Sequence, residues 1–243
     1  MKIAGKTALV TGSGRRIGRA LALALGEAGA SVAVHYGASA DDADETANTI
    51  RLAGSEAATF QADLVDPAQI GQLTHQVRER FGPVDILVNS ASMFSRNTLA
   101  DTSVEEWDDY VAVNVRAPFL LAQAMQAGLA DGSPGKIINL GDWRTARRNR
   151  FAYGVSKAAL SGLTRSLAVA VAPDIQVNEI ALGAILPPAD FKAGDPRSEQ
   201  AMNLGPAKRM GSLNEVTAAM LALVHNDFIT GDTIHVDGGG HIR

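Results

Sequence analysis

The chain has 243 residues, of which 46% are hydrophobic and 20% charged, with a formal net charge of −4 and no cysteine. This length and composition are sufficient for one large α/β core, and the missing cysteine excludes disulfides and thiolate chemistry. The negative charge does not favour nonspecific nucleic-acid binding. The N-terminus shows no signal-peptide pattern and no apolar run has membrane-spanning length, so we expect a cytoplasmic protein without a nucleic-acid or membrane partner.

Short runs rich in Val and Ile alternate with helical patterns along the whole chain. The predicted strands cover residues 7–11, 31–36, 57–63, 86–91, 136–141, 176–182 and 233–236. The predicted helices cover residues 17–28, 40–53, 67–81, 103–129, 152–171 and 214–225. Pro118 is expected to kink or break the fourth helix. This alternation predicts an α/β fold with one doubly wound, seven-stranded parallel sheet in a single domain over residues 1–243.

One long irregular stretch, residues 183–206, is rich in Pro, Gly, Asp and Ala. Loops of this length inside a compact domain are usually functional. We therefore predict a substrate-binding lid over residues 183–206, with a plain surface insertion as the alternative.

A glycine-rich turn, TGSGRRIG at residues 11–18, directly follows the first strand and opens the first helix. In this context glycines allow close backbone approach to a phosphate, and the helix N-terminus supplies N–H donors. The second strand ends at His35 and Tyr36 without an acid at its tip, where an acid would hold a ribose 2′-hydroxyl. Arg15 and Arg16 could pair with a 2′-phosphate, which favours NADP over NAD, although residues 41–42 are acidic and keep NAD open.

Tyr153 and Lys157 are four residues apart in the predicted helix over residues 152–171, so their side chains share one face. A phenol has a pKa near 10, and a nearby cation favours the phenolate and lowers that pKa. The pair is therefore a candidate general acid, with an ordinary surface helix as the alternative.

Taken in order, several short motifs make the chain resemble the short-chain dehydrogenase/reductase family, a Rossmann-type fold, over essentially all of its length. These motifs are the 11–18 turn, Asp63-Leu64, Asn89-Ser90-Ala91-Ser92, Asn114, Tyr153 with Lys157, and the tail over residues 229–239. The resemblance implies that Tyr153 exchanges the proton, that Lys157 holds the nicotinamide ribose and lowers the phenol pKa, and that Asn114 holds a water. It also implies a set of cofactor-binding residues. These are Gly12, Arg15, Arg16, Ile17, Gly18, His35, Tyr36, Ser39, Asp63, Leu64, Asn89, Ser90, Ala91, Tyr153, Lys157, Gly183 and Ile185.

The sequence departs from the family pattern at three positions. Arg16 stands where many members have glycine, Leu182 where proline is frequent, and Asp142 where most carry a catalytic serine. The segment between Asp142 and Tyr153 is also two residues shorter than usual.

Asp142 bears on the substrate because an ionised carboxylate only accepts hydrogen bonds and would repel the charge that develops on a carbonyl oxygen. A ring with N–H donors and a C=N bond suits the acid better. The chain is similar in this respect to the pteridine reductase branch, which implies that Phe94 stacks on a flat pterin and that Arg16 reaches both cofactor phosphate and ring. The expected substrate-binding residues are Arg16, Ser92, Phe94, Asp142, Trp143 and Tyr153, with Asp142, Tyr153, Lys157 and Asn114 as the catalytic set.

We therefore predict an NADPH-dependent reductase that transfers hydride to a C=N bond of a pterin or dihydrofolate-like molecule. One alternative is a carbonyl reductase acting on a 3-oxoacyl thioester or another ketone, and a second is a catalytically silent dinucleotide-binding regulator. The arginine-rich loop over residues 144–150 either attracts an anionic substrate tail or forms a solvated or intersubunit surface. The family resemblance implies a homotetramer, and no residues have metal-ligand spacing.

Overall fold

Seven parallel strands form the centre of the molecule in this computed structural model, which describes residues 1–187 and 204–242. The strands are β1 (Thr7–Val10), β2 (Ser31–Tyr36), β3 (Ala57–Gln61), β4 (Ile86–Asn89), β5 (Gly135–Asp142), β6 (Ile175–Leu182) and β7 (Thr233–Val236). Their order is β3-β2-β1-β4-β5-β6-β7, and each neighbouring pair is parallel. The predicted seven-stranded, doubly wound fold is confirmed.

Helices cover both faces of this sheet. They are α1 (Arg16–Glu27), α2 (Ala40–Leu52), α3 (Pro67–Phe81), α4 (Val104–Val111), α5 (Ala117–Gly128), α6 (Phe151–Ala170) and α7 (Leu213–His225). Residues of α1, α2 and α7 form one core with Ile138, and residues of α3, α5 and α6 form a second core with Ile137. Neighbouring strand residues point to opposite faces, so both faces of β5 are buried, as its nearly continuous apolar run predicts.

The long helical region predicted over residues 103–129 is continuous, and its irregularity lies before Pro118. A π-helical turn over Ala112–Arg116 joins α4 to α5, and the N–H of Ala117 donates to the carbonyl of Ala112, five residues back. Proline has no N–H, and its ring collides with the carbonyl four residues back in a regular α-helix. The wider turn accommodates Pro118 at the start of α5, which replaces the predicted kink or break at Pro118.

In the part of the chain that the structure describes, none of the helices combines the length and the apolar character needed to cross a membrane.

Candidate active site

The order of the strands reverses between β1 and β4, and ligands of open parallel sheets bind in the crevice at such a point. There the Oγ1 atom of Thr11 accepts hydrogen bonds from the N–H groups of Ser90 and Ala91, both at 3.0 Å. Gly12 has a φ of 63°, and a Cβ at this residue would lie 2.9 Å from the Cα of Ala91. Glycine is therefore required where the turn after β1 meets the residues after β4.

The N-terminus of α1 is open to an anion. Arg15 is the N-cap residue, its side chain makes no capping bond, and the first turn contains no acid. Ile17 and Gly18 follow in the first turn of α1, where N–H groups have no partner within the helix. These free donors and the positive helix end are suited to a phosphate.

Arg16 has a left-handed backbone with a φ of 57°, which explains why glycine is frequent at this place in the family. Its Nη2 atom donates to the carbonyl of Pro187 at 2.8 Å, so its side chain reaches the start of the predicted lid. Residues 188–203 of that lid lie outside the described residues. Arg15 instead extends toward α2, where its Nη1 atom is 3.8 Å from a carboxylate oxygen of Asp42.

His35 lies beneath the glycine-rich turn. Its Nδ1 atom accepts from the N–H of Gly12 at 3.0 Å, and its Nε2 atom is 3.1 Å from the carbonyl of Ala62. Burial lowers the pKa of His35 from 6.5 to about 4, so the ring is neutral and donates through Nε2. His35 is only 2% exposed, and it supports the turn in place of the direct cofactor contact expected from the sequence. Tyr36, at the end of β2, and Ser39, the N-cap residue of α2, are both partly exposed.

Three further predicted cofactor residues lie at or just after the ends of β3 and β4. Asp63 is exposed, and its Oδ1 atom accepts from the N–H of Val65 at 2.9 Å, whereas Leu64 is buried. Asn89 donates through Nδ2 to Asn139 at 2.8 Å, and its buried Oδ1 atom has no partner among the described residues. A buried acceptor without a donor costs free energy, so a bound group that brings a donor would fit here.

On the other side of the crevice, Gly183 is held against the end of β7. Its N–H donates to the carbonyl of Val236 at 2.9 Å, and a Cβ at Gly183 would lie 2.5 Å from the Cα of Asp237. The side chain of Ile185 is buried in the core beside α7, which leaves its backbone as the part available to a cofactor.

Asp142 and Tyr153 are in direct contact. The Tyr153 hydroxyl donates to the Oδ2 atom of Asp142 at 2.9 Å. Arg147 donates through Nη2 to both oxygens of Asp142, each at 2.8 Å, and the N–H of Arg144 donates to Oδ1 at 2.7 Å. The acid predicted to replace the family's serine is therefore bound to the proposed proton donor and to an arginine.

Burial is the main cause that raises the pKa of Tyr153 well above 10, and Asp142 raises it further, while Arg147 and Arg150 oppose the rise. The expected lowering of the phenol pKa by Lys157 is not found. The Nζ atom of Lys157 is 5.9 Å from the Tyr153 ring centroid and donates to the carbonyl of Leu140 at 2.7 Å. The phenol is thus a protonated donor.

Lys157 is buried, and burial lowers its pKa from 10.5 to about 8, with Asp142 and Glu179 opposing the change. Lys157 is consequently charged at neutral pH. Glu179 is buried in β6, and its Oε1 atom accepts from Ser161 at 2.9 Å. This acid was not among the predicted site residues, and its one signal is that it is the only charged residue of β6.

Asn114 lies in the π-helical turn and is buried. Its Nδ2 atom donates to the Oγ atom of Ser156 at 2.9 Å, and its Oδ1 atom accepts from the N–H of Met93 at 3.2 Å. Both polar side-chain atoms are thus engaged. A water held by Asn114, as the family resemblance implies, would have to use its backbone carbonyl.

Phe94 is close to the phenol and 43% exposed, so it is not a core aromatic. Its ring centroid lies 4.7 Å from that of Tyr153 at an interplanar angle of 78°. The guanidinium of Arg150 lies over the Phe94 ring at 3.6 Å and donates to the carbonyls of Phe94 and Ser95. A planar substrate would therefore use the part of the ring that Arg150 leaves uncovered. Ser92 is also exposed nearby, with its Oγ atom donating to Met93.

Trp143 packs against the C-terminal segment. A Cβ at Gly240 would lie 3.1 Å from the Trp143 indole. Asp237 holds this segment by accepting from the N–H groups of Gly239 and His241, at 2.9 and 2.7 Å. Trp143, which directly follows Asp142, thus brings the C-terminal segment close to the site.

Arg147 and Arg150 were predicted only as members of the arginine-rich loop over residues 144–150, without a role of their own. The structure brings both next to the phenol, whereas Arg144 and Arg148 have exposed side chains. The short spacing between Asp142 and Tyr153 was the available signal, because a shorter loop keeps its side chains near the site. No group of three or more His, Asp or Glu residues within residues 1–187 and 204–242 could hold a metal ion.

Comparisons with known proteins show the family to which the chain is related. A family model described as enoyl-(acyl carrier protein) reductase matches residues 12–241. The 3-oxoacyl-(acyl-carrier-protein) reductase of Staphylococcus epidermidis is 36% identical over 239 residues, which cover 96% of this chain and 98% of that protein.

Among solved structures, FolM alternative dihydrofolate reductase 1 from Brucella canis, complexed with NADP, has a TM-score of 0.93 and 35% identity, covering 100% of this chain and 96% of its own. A landomycin C-6 ketoreductase with bound NADP and rabelomycin has a TM-score of 0.87 and 32% identity, covering 100% and 98%. The family model and these relatives span nearly the whole chain, and the chain therefore belongs to the short-chain dehydrogenase/reductase family of oxidoreductases.

Proposed function

We propose that this protein is an NADPH-dependent reductase that acts on a C=N bond of a pterin or dihydrofolate-like ring, with Tyr153 as the proton donor. When bound, NADPH supplies the hydride. The observation that carries the proposal is the 2.9 Å hydrogen bond from the Tyr153 hydroxyl to Asp142, because it puts a carboxylate where a ketone reductase of this family has a hydroxyl donor.

The cofactor assignment rests on the glycine-rich turn and on the solved relatives that contain NADP. The N-terminus of α1 would hold the pyrophosphate. Arg15, beside the N-terminus of α2, would pair with the 2′-phosphate, with Asp42 competing for the same guanidinium. Asn89, with its unpaired buried acceptor, would take a donor from the cofactor.

The ring assignment rests on Asp142 and Phe94. A carboxylate accepts from ring N–H groups, and an exposed aromatic provides a flat surface. Ser92 and Trp143 would border the ring, and Arg16 would reach it from the glycine-rich turn. Holding the ring beside the nicotinamide in one orientation would supply much of the rate.

The proton would come from Tyr153. Because its raised pKa keeps the phenol protonated at neutral pH, the hydroxyl is a donor throughout the working range. A phenol with a raised pKa releases its proton only to a strongly basic atom, such as the nitrogen anion left by hydride addition to a C=N bond. Lys157, charged and buried behind the phenol, would hold the nicotinamide ribose. A water at the Asn114 backbone would then link Lys157 to solvent.

A second candidate is reduction of a carbonyl, including a 3-oxoacyl thioester. The staphylococcal relative and the landomycin ketoreductase favour it. Arg147 also favours it, because its guanidinium compensates the charge of Asp142 that would otherwise repel a developing oxyanion. The paired Tyr153 and Lys157, with Asn114 in place, argue against a silent dinucleotide-binding regulator.

The test is NADPH oxidation with dihydrobiopterin, dihydrofolate and a 3-oxoacyl thioester, each with the native protein and with Tyr153→Phe. We expect turnover of at least one of the two ring substrates and a loss on the order of a hundredfold or more in the variant. Near-native turnover by Tyr153→Phe would contradict the role of Tyr153. Turnover of the thioester alone would favour the second candidate.

We further propose a homotetramer with the long helices at its interfaces. Exposed apolar side chains on these helices support it, among them Val111, Phe119 and Val155, which are 37%, 41% and 40% exposed. A cytoplasmic location, a single domain over residues 1–243 and a lid over residues 183–206 stay predictions from the sequence.

A further inference from the structure

The acceptor capacity of Asp142 is fully used. A carboxylate offers about four lone-pair directions, and four hydrogen bonds end on this one. Oδ1 accepts from the Arg144 N–H and from Arg147, and Oδ2 accepts from the Tyr153 hydroxyl and from Arg147. A substrate ring cannot donate two N–H groups to Asp142 unless existing donors leave.

Arg147 is the donor best able to leave. The Arg144 N–H is part of the backbone of a short loop, and Tyr153 is fixed in the first turn of α6. The Arg147 side chain is long, 24% exposed, and contributes one bond to each carboxylate oxygen. Its departure would free one acceptor position on each oxygen, which is what a ring with two neighbouring N–H groups needs. Its other side-chain bond runs from Nε to the carbonyl of Arg144 at 2.8 Å.

We propose that Arg147 is a specificity-determining residue: its guanidinium caps Asp142 and is displaced by a pterin-like ring edge that presents an N–H donor to each carboxylate oxygen. This inference rests on the proposed function. A simple ketone has no N–H donor and cannot replace the guanidinium. The guanidinium of Arg147 thus leaves Asp142 when a ring with N–H donors binds and stays on Asp142 when a ketone binds.

Kinetics of Arg147→Gln test the exchange. Because the variant has no cationic cap to displace, we expect a KM for dihydropterin that is about tenfold lower, the value of one charge-assisted hydrogen bond. We expect kcat to stay close to the native value, because the native guanidinium has already left Asp142 when the ring is bound. Arg147→Lys, which keeps the charge, should restore much of the native KM. Arg148→Gln removes a neighbouring exposed arginine and should leave both constants unchanged.

An unchanged or higher KM in Arg147→Gln would overturn the proposal. A higher KM is the result expected if Arg147 anchors an anionic substrate tail. Melting temperatures of all variants, measured alongside, identify a loss of folding as the cause of any rate change.

A second measurement uses the guanidinium ion as probe and needs no pterin. Arg147→Ala should be stabilised against thermal unfolding by millimolar guanidinium, relative to sodium at equal ionic strength, because the ion can occupy the vacated place on Asp142. The native protein and the double variant Asp142→Asn/Arg147→Ala should show no such shift. Equal responses in all three proteins would overturn the exchange. If only Arg147→Ala responds and no variant reduces a pterin, the proposed function fails while the exchange at Asp142 stands.

Discussion

At the scale of single residues, the properties of the site depend on how the negative charge of Asp142 is compensated. Its carboxylate raises the pKa of Tyr153 and opposes the lowering of the pKa of Lys157. Arg147 opposes the effect of that carboxylate on the pKa of Tyr153. Burial raises the pKa of the phenol and lowers the pKa of the Lys157 ammonium. The positions of Tyr153 and Lys157 on one helix face were predictable from their spacing. The pKa of the phenol was not, because it depends on burial and on a loop arginine.

His35 gives a residue-scale prediction about pH. Its folded pKa of about 4 lies below the ordinary 6.5, so the unfolded chain binds the proton first as the pH falls. The stability from neutral His35 is complete above pH 6.5 and is lost as the pH falls through about 4. Up to about 3 kcal/mol is at stake. Urea unfolding between pH 7 and 4 should therefore show a steeper loss in the native protein than in His35→Gln.

Equal pH dependence of the free energy of unfolding in the two proteins would show that His35 is not the buried neutral ring described above. NADPH affinity should also fall in His35→Gln, because Gly12 loses its acceptor beneath the turn.

At the scale of elements, the strands were predictable to within one or two residues, because their apolar runs end at Gly, Asp or Asn. The helices followed from the 3.6-residue period. The π-helical turn that joins α4 to α5 was not predictable, because a proline indicates a local irregularity but not whether the helix breaks or widens there. The path of residues 143–150 was also hidden, since it depends on a close contact with α6.

That contact gives an element-scale prediction. A Cβ at Gly154 would lie 1.9 Å from the carbonyl oxygen of Thr145, so Gly154→Ala should push the loop away from α6. The loop carries the donors that hold Asp142. A displacement of about 1 Å at a catalytic group can cost on the order of a hundredfold in kcat/KM. The measurement is steady-state NADPH oxidation with the preferred substrate.

Gly162→Ala is the matched control in the same helix, because nothing lies within 4 Å of a Cβ there. It should leave kcat/KM unchanged and stabilise the protein by about 0.5–1 kcal/mol, the helix preference of alanine over glycine. Equal kinetic effects of the two substitutions would argue against the loop contact.

At the scale of the whole molecule, the sheet brings together residues far apart in sequence. The ends of β1 and β4 would form the floor of the proposed cofactor site, and the end of β5 and the start of α6 carry the proposed catalytic residues Asp142 and Tyr153. This placement was predictable, because the carboxyl ends of parallel strands share one edge. The position of His35 beneath the glycine-rich turn was not predictable, because the direction of a side chain at the end of a strand depends on the neighbouring strands.

Assembly gives a prediction at this scale. Light scattering should report the mass of four 25.4 kDa chains. Phe119→Glu should reduce that mass, because it puts a charge on an apolar surface of α5. Leu52→Glu, a substitution at an 89% exposed residue of α2, should leave the mass unchanged. A monomeric native protein would contradict the tetramer.

The most direct test of the central claim, that Asp142 selects a ring with N–H donors over a carbonyl, is a specificity ratio. It compares kcat/KM for a dihydropterin with kcat/KM for a 3-oxoacyl thioester, in the native protein and in Asp142→Ser. We predict a native preference for the dihydropterin on the order of a hundredfold or more, and a shift toward the thioester of similar size in the variant. A native preference for the thioester, or a ratio that Asp142→Ser leaves unchanged, would contradict the account.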